Sequence, residues 1–180
     1  MVFNILDDLI KFDFHSIVKK ILEVKPDQDL GKLHENSEVA YVFEGSIRNK
    51  KSGRNVYNKR WYTNYATPTA LTEEFDLLLE KFIAEVVAPG MGIAPGDGVD
   101  YQRKPTFRCH LVGVGKNLGP RHTDAEYLHG PFEVNWWLPL TPVYESNTLW
   151  TESEPGKEDF HPLELDYGQV CRFYGNQCEQ

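Results

Sequence analysis

No apolar run in this chain of 180 residues approaches the roughly 20 needed to span a bilayer as a helix. Its start, MVFNILDDLIKFDF, lacks the basic stretch that opens a secretory signal. Together these absences lead to the expectation of a cytosolic, non-membrane protein. Positive charge is also scarce. Lys and Arg number 19 against 27 Asp and Glu, a formal net charge of -8, so a general affinity for nucleic acid or anionic lipid is not expected. The three cysteines, Cys109, Cys171 and Cys178, are odd in number and form no C-x-x-C pair; they read as reduced thiols rather than as a disulfide framework or a zinc knuckle. No G-x-G-x-x-G, P-loop or G-x-S-x-G occurs, which removes the usual dinucleotide, phosphate-cradle and nucleophile-elbow signatures. There is no internal repeat.

What is present is enough apolar residue, 41%, for one domain with a sizeable core, taken as residues 1–180. Residues 1–105 read as helical and hairpin support. In FNILDDLIKFDFHSIVKKILEV the apolar positions recur at three- and four-residue intervals, as a helix face requires, with a break available at Asp13 or Ser16. The stretch 39–65 has β-branched and aromatic runs around Lys-Ser-Gly-Arg and predicts a hairpin. TPTALTEEFDLLLEKFIAEVVAPG predicts the clearest helix, with Thr72 as a cap, Pro89-Gly90 as the stop, and Phe75, Leu78, Leu79, Phe82, Ile83 and Val86 facing a core. From Thr106 the character changes to short extended segments between turns: TFRCHLVGVG, FEVNWWLPLTPV, NTLWTES and GQVCRFYG. Helices first and short strands after suggest an α+β fold, with a β-sandwich or jelly-roll core in 106–180.

Within that second part, GPRHTDAEYLHG places His122 and Asp124 two residues apart. In extended chain, residues i and i+2 point to one side, so an imidazole and a carboxylate converge. Such a pair supplies two ligands of the two-His, one-carboxylate triad of non-haem Fe(II) oxygenases. Alone, the spacing fits a solvated loop better.

The block around it is more specific. His122-x-Asp124 with Tyr127 is followed by Glu133 to Thr141 (EVNWWLPLT), Asn147 to Ser153 (NTLWTES), Pro155 to Phe160 (PGKEDF) and Gly168 to Asn176 (GQVCRFYGN). This third of the chain resembles a branch of the 2-oxoglutarate and Fe(II)-dependent dioxygenases that includes streptomycin-biosynthesis-type proteins. The resemblance implies a double-stranded β-helix, a cupin-like jelly roll holding Fe(II) between facing sheets and braced by the N-terminal helices. It implies His122 and Asp124 as metal ligands, with 2-oxoglutarate, molecular oxygen and a small-molecule substrate as partners in the oxidation of a C–H bond. TFRCHLVGVG becomes the first core strand, with Arg108 and His110 on one face. Asn135 and Trp137 share a face of a later strand, as pocket amide and aromatic wall or, equally, as core filler together with Trp136 and Trp150.

The pattern then breaks. It calls for a second histidine a few residues after Gly175-Asn176, and for an Arg on a last strand, whose fork suits the distal carboxylate of 2-oxoglutarate. The sequence reads GNQCEQ there, with Gln180 near the histidine position. The expectation is an incomplete jelly roll, its last strands missing from a truncated or decayed product. His110 is the best-placed substitute ligand; Arg108 is the substitute for the co-substrate, and Arg121 could steer anions to the mouth. The rival expectations are a catalytically dead jelly roll that binds a ligand through the old pocket and, less favoured, a cupin-like isomerase or hydrolase.

Overall fold

The computed structural model describes residues 2–4, 11–35, 56–109 and 121–180. The chain divides into two compact units at Ile10/Lys11 and at Val114/Gly115, with the first ten residues joining the C-terminal unit. No helix among the described residues is long and apolar enough to cross a membrane.

The first unit is helical. Its α1, Phe14–Ile21, begins where the Asp13 carboxylate accepts the N–H of Ser16 at 3.0 Å, and carries Lys19 and Lys20 in its last turn, where the helix dipole favours cations. Phe14, Ile17, Val18 and Ile21 form its buried face. The break expected at Asp13 or Ser16 falls at Asp13, which caps α1; Val2–Asn4, expected within the helical pattern, is instead a strand, β1, of the other unit, and residues 5–10 lie outside the described residues.

A second correction concerns the expected hairpin. Its second half is a helix, α2, Val56–Asn64; the rest, 39–55, lies outside the described residues. The aromatic content suggested strand, but Tyr57, Trp61 and Tyr65 recur every four residues and all are buried, so helical period overrides β propensity.

The predicted long helix is α3, Ala70–Phe82, capped by Thr69 rather than Thr72. The Thr69 hydroxyl accepts the Thr72 N–H at 3.2 Å, and the Thr72 hydroxyl accepts the Thr69 N–H at 2.8 Å. Beyond it the ladder widens over Ile83–Val87, where the Ala88 N–H reaches back five residues to the Ile83 carbonyl, before a final turn, Ala88–Gly90. Pro89 has no N–H to give to Glu85, and the wide turn rephases the carbonyls past that gap.

Rings fill the space between these helices. Trp61 is stacked between Tyr65 (5.1 Å) and Phe107 (4.9 Å) and meets Phe75 edge-on at 5.2 Å. Phe14 meets Phe75 and Phe82 edge-on at 5.7 and 5.5 Å. Such pairs contribute about 0.5–1.5 kcal/mol each beyond their buried area. The segment 106–109, expected to open the jelly roll, is not in a strand. Its backbone is instead paired by the buried Asn58, whose amide donates to the Cys109 carbonyl at 3.0 Å and accepts the Cys109 N–H at 2.9 Å.

The second unit holds the strands, which among the described residues form two small sheets and no closed barrel. β5, Gln169–Phe173, is the centre of an antiparallel sheet, with β1 on one side (Phe3 opposite Val170) and β2, Asn135–Trp137, on the other (Trp136 opposite Arg172). Consecutive residues Val170 and Cys171 are both buried, so both faces of this strand are covered. β3, Trp150–Thr151, pairs with β4, His161–Pro162, and Val143 exchanges two backbone hydrogen bonds with Leu165 at 2.9 and 3.0 Å. Val143, Leu165 and Cys171 form a small apolar cluster, closed by Trp137 and Leu163. FEVNWWLPLTPV, NTLWTES and GQVCRFYG thus each contain a strand, shorter than the sequence suggested.

Candidate functional site

The site is built where β2, the turn after His122 and the residues following β5 meet inside the sheet-bearing unit. Thr123 is extended, but Asp124 opens a tight turn, Asp124–Tyr127, fixed by a reciprocal pair in which the Glu126 carboxylate accepts the Thr123 N–H at 3.1 Å. The pair is therefore not in plain extended chain, as the spacing argument assumed. It converges nonetheless: His122 Nε2 lies 3.9 Å from Asp124 Oδ1, and both side chains are largely sheltered. Two ligands at about 2.1 Å from one ion lie about 3 Å apart at a right angle and about 4.2 Å apart in line, so the donor types suit a cation while their 3.9 Å separation is wider than adjacent octahedral positions set it. The Tyr127 ring stands edge-on to the imidazole at 4.9 Å and 89°, restricting its plane, although Tyr127 itself is mostly exposed.

Asp124 is tied down at both ends. Its N–H donates to the Gly175 carbonyl at 2.8 Å; its Oδ2 accepts the Asn135 amide at 2.5 Å and its Oδ1 accepts the Gln180 amide at 2.8 Å. Gln180 is itself held in register, exchanging two backbone hydrogen bonds with His122 at 3.1 and 2.9 Å. Gly175 faces this cluster so closely that a Cβ there would lie 2.5 Å from Asn135 Nδ2, 2.8 Å from Gln180 Nε2 and closer still to Asp124 Oδ2. The carboxylate and both amides can pack this close to residue 175 because it has no side chain.

The other residues singled out by sequence are scattered. Asn135 is part of the cluster. Trp137, two residues on, packs against the Val143–Leu165–Cys171 core, so of its two readings the structure gives core filler. Arg108 is exposed and belongs to the helical unit, and His110 lies outside the described residues. The Arg121 guanidinium sits 4.1 Å over the Phe160 ring. His129 is bonded to Glu133 at 2.8 Å, and His161 lies on β4 beside the Asp159 carbonyl. Among the described residues no three His, Cys, Asp or Glu side chains gather as a metal site.

Three residues that the sequence left unassigned prove structural to the site. Glu152, 5% exposed, accepts the backbone N–H groups of Gly156 (3.1 Å), Glu158 (2.9 Å) and Glu179 (3.0 Å). These bonds, that from Glu158 first, hold its carboxyl below the ordinary range. Its own N–H donates to the Glu179 carbonyl at 3.2 Å, so Glu152 fastens the residue before Gln180. Asp159 accepts both the N–H and the hydroxyl of Ser153, at 2.9 and 2.6 Å, closing the same turn. Asn176 donates to the His129 and Gly130 carbonyls, pinning the loop that follows the His-x-Asp turn. Their signal was their place in the motifs Trp-x-Glu-Ser, Pro-Gly-Lys-x-Asp and Gly-Asn. Burial pushes up the thiols of Cys171 and Cys178, the latter also beside the charge of Glu152, so neither is set up as a thiolate nucleophile at neutral pH.

Over 119 residues, 66% of this chain, the sequence is 34% identical to the streptomycin biosynthesis protein StrG of Streptomyces griseus, and the match covers 50% of that protein. The chain thus spans about half the length of the curated relative it matches. No family model matches the chain, and no solved structure does.

Proposed function

We propose that this protein serves a biosynthetic pathway as an Fe(II)- and 2-oxoglutarate-dependent oxygenase of small molecules, its sheets belonging to a jelly-roll core. Support comes from the likeness to a streptomycin biosynthesis protein and from one observation above the others. His122 Nε2 and Asp124 Oδ1 face each other at 3.9 Å, with Gly175 packed close against the Asp124 carboxylate. His122 and Asp124 would hold the metal, which with 2-oxoglutarate and oxygen supplies the oxidising power for the C–H bond, the co-substrate leaving as succinate and carbon dioxide.

The chain's own residues set the conditions for this. Asp124 brings the negative charge that offsets a divalent cation, and the Asn135 amide on Oδ2 leaves Oδ1 turned toward His122. Backbone pairing of His122 with Gln180 and the Tyr127 ring fix where the imidazole points. Fe(II) with 2-oxoglutarate under anaerobic conditions is expected to give a weak visible charge-transfer band, abolished by His122→Ala. A band unchanged by that substitution would remove His122 from the site.

One feature favours a second reading, a ligand-binding protein without metal: both oxygens of Asp124 already accept amide hydrogens. Under that reading the chain, stripped by a chelator, keeps its affinity for a small molecule, and Fe(II) produces no band.

A further inference from the structure

We infer that Leu128 and Phe132 are the contact residues of the candidate site, a preformed apolar rim that takes a small molecule with a hydrocarbon face. The inference rests on the reading of the His122–Asp124 region as the place where a small molecule is held, with or without a metal, and adds the class of that molecule. Both side chains stand on the loop after the His-x-Asp turn, Leu128 94% and Phe132 93% exposed. Single apolar side chains in water are ordinary; two large ones within five residues, beside the partly exposed Tyr127, make a surface that gains from being covered.

The backbone of Leu128 points the same way. Its φ of 66° and ψ of 24° are left-handed, a conformation that glycine or asparagine adopts easily and that strains a leucine. Neither the turn nor the core gains from a leucine here; a ligand lying against it does. Slack does not explain the exposure. The Leu128 N–H donates to the Ala125 carbonyl at 3.1 Å and the His129 N–H to the Asp124 carbonyl at 3.3 Å, while Asn176 holds the carbonyls of His129 and Gly130. The Glu133 N–H donates to the Gly130 carbonyl at 3.0 Å, closing a turn with Pro131 and Phe132 at its corners, and His129 Nδ1 faces the Glu133 carboxylate at 2.8 Å. The rim is thus ordered before a ligand arrives, which lowers the entropy lost on binding. It also continues directly from the site, since Tyr127, next to Leu128, stands edge-on to His122 at 4.9 Å.

Other occupants fit less well. Residues 122–156 contain no Lys or Arg to hold a phospholipid headgroup, and the net charge of -8 opposes an anionic membrane. A loop this short is far below the roughly 20–30 residues a side that a stable protein interface uses.

The test is titration of the whole chain with N-phenyl-1-naphthylamine, an uncharged dye whose emission rises as it leaves water. Leu128→Asn and Phe132→Ser are each expected to weaken binding by about tenfold, the scale set by burying one such side chain. Leu128→Asn also separates contact from packing. Asparagine suits the left-handed backbone, so the thermal midpoint is expected to hold or rise while dye affinity falls; a lowered midpoint would make Leu128 a packing residue and overturn its role. Dye binding absent from the wild type, or unchanged in both variants, would overturn the proposal. So would wild-type binding to phosphatidylcholine vesicles, or a wild-type dimer in sedimentation, that both variants abolish, since the occupant is then a lipid surface or a second copy. The Fe(II) and 2-oxoglutarate band reports on the metal separately: its absence from the wild type, with dye affinity lowered in the variants as expected, removes the metal and supports the rim.

Discussion

Gly175 shows how much of a site can depend on an atom that is absent. Its Cα passes so near the Asp124 carboxylate and the two amides on it that Gly175→Ala must displace one of them. The expected cost is about 1–3 kcal/mol, as for other forced insertions into packed space, with lower metal affinity and a lower thermal midpoint. An alanine variant that melts and binds Mn(II) like the wild type would mean the close approach at Gly175 is not needed. At this scale the sequence was partly legible. His122-x-Asp124 marked two side chains that the structure brings within 3.9 Å, although Asp124 already opens a turn and the chain is extended only at Thr123. It could not show that Asn135 and Gln180 would each take one oxygen of Asp124, since that depends on a strand and a C-terminal turn brought together in space. Nor could it separate Asn135, in the cluster, from Trp137, in the core. Both share a strand face, and only the apolar neighbours of Trp137 decide the matter.

Among the elements, α3 depends on its first turn. Thr69 and Thr72 satisfy each other's backbone donors, and Thr69→Ala is expected to cost about 1 kcal/mol, visible as a lower midpoint in thermal melts followed by circular dichroism. The helix itself was evident from its period and its Pro-Gly stop; the cap was misplaced by three residues because both threonines have the right chemistry. α2 was misread for a related reason. Tyr57, Trp61 and Tyr65 have strand-forming side chains at helical spacing, and burial of all three rings on one face outweighed local preference. In the turn 152–159, Glu152→Gln turns one carboxylate oxygen into an NH2, which faces the Glu158 N–H if it replaces Oε1 and the Gly156 and Glu179 N–H groups if it replaces Oε2. The variant is expected to melt earlier. Equal midpoints would show that the turn holds without the carboxylate.

The protein as a whole should be sensitive to acid, in two stages of different origin. Burial first, and Lys19 next, lower the pKa of His15 in α1 from 6.5, so the unfolded chain takes up that proton first and the helical unit loses stability as pH falls through 6.5 and the lowered folded value. Glu152 and Asp159 are held below 4.5 and 3.8 respectively, Glu152 chiefly by the Glu158 N–H and Asp159 by the Ser153 hydroxyl. What they contribute is complete above those ordinary values and disappears as pH falls through the lower folded ones. Midpoints measured from pH 7 to 3 should therefore decline in both ranges. His15→Asn is expected to flatten the upper range and Glu152→Gln the lower; a curve that neither variant changes would remove both groups as its cause.

The ring stack in the helical unit has an optical consequence. Of the four tryptophans, Trp61 alone lies in that unit, pressed between Tyr65 and Phe107, while Trp136, Trp137 and Trp150 belong to the unit that bears the candidate site. An indole so sheltered emits at shorter wavelength than Trp150, which is 44% exposed. Each half of the molecule thus has its own intrinsic fluorophore, and a Trp61→Phe variant would leave the emission to report events around His122 and Asp124.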